Sequence, residues 1–120
     1  MNDFCERMNG LRIRYPFTRW QASGLEQYTP EACAAFAAVM DQLLEDLQSV
    51  GLAAPEAEKL KAFKVAVLAL NQLNDHDDSL IETGEREDLC DLINAVAVEA
   101  GLDPRAYGGG EGPASEWREW

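Results

Sequence analysis

The sequence predicts an all-α protein with a three-helix core at about 30–50, 55–74 and 84–100, an extended N-terminal arm and a C-terminal aromatic tail. Three observations predict it. Apolar residues recur at i, i+3, i+4 and i+7 in each of the three stretches. Helix start and stop signals bracket those stretches. Only one short segment alternates as a half-buried strand does; a lone strand cannot stand, and Leu80 to Glu82 is the only local candidate to pair with it.

In chain order, residues 2–9 suit one or two helical turns, with Phe4, Cys5 and Met8 on one face and Gly10 as the stop. Leu11-Arg12-Ile13-Arg14-Tyr15 then alternates apolar and basic residues, and Pro16 lacks the N–H a ladder would need. This segment is read as an extended arm laid over the helices, with Phe17 and Trp20 lengthening its apolar contact. Residues 7–25 carry four arginines and no acid.

The first long helix opens at Thr29-Pro30-Glu31. Threonine accepts from a first-turn N–H, proline pre-sets φ where no donor is needed, and glutamate suits the positive end of the helix. Cys33, Phe36, Met40, Leu43, Leu44 and Leu47 form its stripe, and Gly51-Leu52 reads as its stop. Pro55 opens the second helix, with Leu60, Phe63, Val67 and Leu70 inward. From Val65 to Leu70 it is apolar all round, which predicts the most buried part of the molecule. The third begins at Thr83 or Gly84, buries Leu89, Leu92, Ile93 and Val96, and stops at Gly101-Leu102. Residues 1–103 are expected to form one domain. In 104–120 a glycine-rich linker precedes Trp117 and Trp120, which are expected to dock on the body or on a second copy.

Composition narrows the function. With 22 acids against 10 bases the chain carries −12. That argues against nucleic acid or an anionic membrane as partner, since both are held by Lys and Arg, and favours a basic protein. The longest apolar run, Ala32 to Met40, is far short of a membrane span. A basic-then-apolar leader is missing at the N-terminus, so a cytoplasmic location is expected. Cys5, Cys33 and Cys90 are odd in number and widely spaced, as expected of buried thiols in a reducing compartment.

One stretch invites a site. Residues 75–91 hold eight acids and one arginine, beside the only histidine, His76. Asp75, Asp77, Asp78 and Glu82, with the apolar pair Leu80 and Ile81, form the candidate partner-binding set. Asp75-x-Asp77-x-Ser79 matches the first three ligand positions of an EF-hand calcium loop. The match fails at Leu80, where the sharp turn needs glycine, and at Arg86, where the cation needs a bidentate glutamate. A looser divalent-cation site from Asp75, Asp77, Asp78 and Glu82 is the alternative. His76 has no second histidine to share a transition metal, and no nucleophile, base and orienter fall together, so an enzyme is not expected and no cofactor is implied. The resulting expectation is a small acidic protein acting by protein–protein interaction, of the inhibitor or immunity type, covering a basic surface. The arm or the Trp117/Trp120 tail offers a route to a homodimer.

Overall fold

A computed structural model of the chain describes residues 3–23, 26–76 and 81–120, with His76 described by its backbone alone. Among these residues the order is α1 (Asp3–Gly10), a 3-10 turn (Leu11–Arg14), α2 (Phe17–Gln21), α3 (Pro30–Val50), α4 (Glu56–His76) and α5 (Thr83–Glu99). Three short 3-10 turns follow (Pro104–Ala106, Gly108–Gly110 and Pro113–Glu116), and there is no strand among the described residues. The all-α prediction holds, and the three long helices fall where their apolar periods place them.

Local chemistry explains the helix ends. Thr29 caps α3 by accepting from the Ala32 N–H at 3.1 Å, with Pro30 in the first turn. After α5 the Leu102 N–H returns to the Ala97 carbonyl (2.9 Å) and the Gly101 N–H to the Val98 carbonyl (3.0 Å), with Gly101 at φ 83°. This paired closure needs a positive φ that glycine alone adopts without strain, and it folds Leu102 back into the core. The Gly51 stop differs. Its ψ of 159° leads the chain away from the helix, and Leu52 stays 43% exposed.

The N-terminal segment is helical turns and not an extended arm. A lone strand would leave its backbone donors and acceptors without partners. Helical turns satisfy them internally, as where the Tyr15 N–H returns to the Arg12 carbonyl. The alternating pattern at 11–15 is therefore not used: Leu11 is buried while Ile13 is 92% exposed. The segment is held by Phe4, Met8, Phe17 and Trp20, all buried against α3 and α5. Phe17, Trp20, Tyr28 and Phe36 form one aromatic cluster, with neighbouring ring centroids 5.1–5.9 Å apart.

Helix α4 departs from expectation in its middle. Val67 and Leu70 are fully buried, but Val65 is 51% and Leu68 41% exposed. Helices α3 and α4 pack side by side, and no described element covers the outer side of that pair at Val65. All-round apolar sequence here marks an uncovered face. Lys59, by contrast, is buried, and its ammonium lies beside Gly101 at the negative end of α5.

The glycine-rich stretch forms tight turns. Gly108, Gly109, Gly110 and Gly112 all take positive φ, and a Cβ on Gly112 would run into the Asn94 carboxamide. Pro113 and Ala114 are buried, and Trp117 and Trp120 pack against the core. Buried Asn71 of α4 clamps this segment: its Nδ2 donates to the Trp117 carbonyl (3.0 Å), and its Oδ1 accepts from the Glu119 N–H (2.9 Å).

Candidate functional site

The acidic connection between α4 and α5 is framed by Asn74 and Ile81. The Asn74 Oδ1 accepts from the Ile81 N–H at 2.8 Å, which ties the start of the α5 approach back to the end of α4. The Ile81 side chain is 8% exposed. Of the predicted partner-binding set, Ile81 therefore belongs to the core as a staple and does not reach the surface. Asp75 and Glu82 are exposed. Asp77, Asp78 and Leu80 lie outside the described residues, as does the His76 side chain.

Beyond the connection, the carboxylates divide into two groups. Some are taken up by the protein itself. Asp88 accepts from Arg19 Nη2 (2.8 Å) and from the buried indole N–H of Trp20 (2.9 Å). Glu85 faces Tyr28, whose hydroxyl is pushed well up from its usual range, first by burial and then by that carboxylate. Others stay open. Asp75, Glu82 and Glu87 are exposed and form no ion pair among the described residues.

Among the described residues, the basic N-terminal segment neutralises one point of this stretch. Arg7 pairs with Glu99 at 2.9 Å and Arg12 with Asp41 at 3.1 Å, both away from the 75–91 stretch, and Arg19 reaches Asp88. Asp41 also accepts from the Tyr15 hydroxyl at 2.8 Å, and the bond to Asp41 is the main reason the Arg12 guanidinium holds its proton more tightly than usual.

Among the described residues, no three His, Cys, Asp or Glu side chains converge as metal ligands would. Asp75 and Glu82 are the described members of the cation alternative. The three cysteines are free, with Cys33 buried and Cys5 and Cys90 half-buried. Burial pushes the Cys33 and Cys90 thiols up, toward the protonated form.

One feature escapes sequence reasoning. A cleft of about 470 Å³ opens between the outer face of α5 and the C-terminal turns, with Arg86, Cys90, Asp91, Asn94, Glu111 and Arg118 on its walls. Arg118 lies 3.6 Å from Glu111 and donates to the Ser115 hydroxyl at 3.3 Å; Asn94 Nδ2 donates to the Glu111 carbonyl at 3.1 Å. Charges of both signs line the cleft, and burial pushes its Cys90 thiol toward the protonated form. Nothing in the sequence of α5, with its single asparagine and single arginine, marks it, because the tail that forms its second wall arrives from further along the chain.

No protein-family model matches the chain, and comparison with curated proteins and with solved structures finds no match.

Proposed function

We propose that the protein works by binding another protein, presenting the acidic end of α4 and the start of α5 to a basic surface as an inhibitor or immunity-type protein does. One observation supports this above the rest. Among the described residues the ion pairs lie mostly elsewhere: Arg7, Arg12, Arg105 and Arg118 pair with acids outside 75–91, Arg19 takes Asp88 alone, and Arg86 is the one cation within the stretch itself. Asp75, Glu82 and Glu87 remain open to water, on a chain of net charge −12. Such a surface speeds encounter with a cationic partner and repels acidic ones.

The test is capture from source lysate at two salt concentrations, comparing the native chain with Asp75→Lys/Asp77→Lys/Asp78→Lys/Glu82→Lys. The expected result is salt-sensitive capture by the native chain and loss of that capture in the variant. Capture that is the same for both proteins at both salt levels would remove the reading. Each charged contact at the rim of such an interface changes affinity modestly, so the four reversals are made together.

A further inference from the structure

Along the outer side of the α3–α4 pair runs a groove in two connected parts. The first, about 270 Å³, lies between Ala38 and Val39 of α3 and Val65, Ala66 and Ala69 of α4, and Asp46 is its one charged lining residue. The second, about 240 Å³, shares Asp46 and Val65 with it and continues past Val50 to Glu58 and Lys61. From Ala38 to Val50 the groove follows α3 for about 18 Å at 1.5 Å per residue, some three helical turns. Val65, 51% exposed, lines both parts from α4, and Leu68, 41% exposed, stands one helical turn along α4 from it.

We propose that this groove seats an amphipathic helix of a partner protein, with apolar residues at i, i+3, i+4 and i+7 in the groove and lysines or arginines beside them. The proposal rests on the protein-binding reading above and names the partner's docking element. Three features of the groove select this occupant. The walls are bare of backbone donors and acceptors, both being helices. An extended peptide laid there would strand its own N–H and C=O groups, whereas a helix satisfies them internally. The α4 side is lined by Ala62, Ala66 and Ala69 and the α3 side opens at Ala38, small side chains that let a third helix approach closely. The carboxylates fall where basic flanks would reach them: Asp46 midway and Glu58 at one end. At the other, Asp75 stands about two turns beyond Leu68 on the same side of α4. Lys61 is the lone cation lining the groove. A second copy of this chain would bring the same acids against these, at −12 per copy.

The probe is an 18-residue leucine–lysine peptide with a helical apolar stripe, fluorescently labelled and titrated with the full chain. Controls are the same peptide with glutamate for lysine and one interrupted by proline. Val65→Asp and Leu68→Asp each alter an exposed position, so the fold is retained, which circular dichroism verifies. Each is expected to weaken binding about tenfold or more, equivalent to roughly 1.4 kcal/mol. Val98→Asp, at a 59% exposed site on α5, is expected to leave binding within about twofold. Both control peptides are expected to bind poorly. Equal weakening by Val98→Asp, or equal binding of the proline peptide, would overturn the groove. If Asp75→Lys still lowered binding in that case, the acidic surface would stand without it; loss of neither effect would remove both. A native dimer by sedimentation that Val65→Asp dissociates would overturn the proposal in favour of a contact between copies.

Discussion

The two ends of the chain are held to the same three helices by different forces. Residues 3–23 and 26–28 are anchored by side chains driven into the core: Phe4, Met8, Leu11, Phe17, Trp20 and Tyr28 are each at most 6% exposed. Residues 103–120 are anchored mainly by hydrogen bonds and turns. Asn71 grips the main chain at Trp117 and Glu119, and the Tyr107 hydroxyl donates to Glu56 at 2.5 Å. Their tryptophans are only partly buried, and the buried Trp120 indole N–H has no hydrogen-bond partner among the described residues. Apolar burial scales with area and is lost only when the whole segment leaves. A hydrogen-bonded clasp depends on a few groups and opens when one is removed. The N-terminal end is therefore part of the cooperative unit, and the C-terminal end is a strap laid on it.

The largest test of this contrast is Trp20→Ala. It removes a ring that touches Phe17, Tyr28 and Phe36 and leaves Asp88 without its indole donor. A loss of about 3–5 kcal/mol is expected, seen as a lower denaturant midpoint for the whole molecule. A loss below about 1 kcal/mol would mean the N-terminal segment is as separable as the tail.

Asn71→Ala comes next. Two main-chain partners at Trp117 and Glu119 lose their mate, at a cost of about 1–3 kcal/mol. Hydrogen exchange is expected to rise across 113–120 while α3 and α4 keep their protection. A uniform rise would show instead that the tail shares the core's cooperativity.

The smallest effect is alkaline and separates the tyrosines of the two ends. Burial is the main cause of the raised Tyr15 and Tyr28 hydroxyls, whereas the bond to Glu56 is the main cause at Tyr107, which is pushed up to about 12. An unfolded tyrosine ionises near 10, so above that pH the unfolded state has lost protons the folded state keeps. The stabilisation is complete below pH 10 and falls as pH climbs through the folded values. Tyrosinate absorbance is expected in two steps: Tyr107 first, near pH 12, then Tyr15 and Tyr28 together with unfolding. Tyr107→Phe should delete only the first step, and a single step in the native chain would count against the distinction.

The candidate site was legible in one respect. Crowded acids between the second and third long helices are visible as a local run, and Asp75 and Glu82 do face water. Which of them stay available was not legible. Asp88 is taken by Arg19 and Trp20, which lie 69 and 68 residues away, and Ile81 turns inward to be tied by Asn74. The same distinction explains Val65 and Leu68. Their apolar character was plain, but whether a neighbour covers them depends on where the N-terminal turns, α5 and the tail are laid.

By itself the sequence determined the three long helices and most of their ends. Those depend on contacts within a few residues: a 3.6-residue apolar period, the Thr29 cap, the glycine at 101 and the leucine after it. The tertiary structure decided the rest. It set the helical form of 11–14 against an alternating pattern, the uncovered face of α4, and the grip of Asn71 on a segment 46 to 48 residues further on. Each of these turns on which surfaces meet across the chain. That is settled by the whole set of packing and hydrogen-bond partners, and no local window contains it.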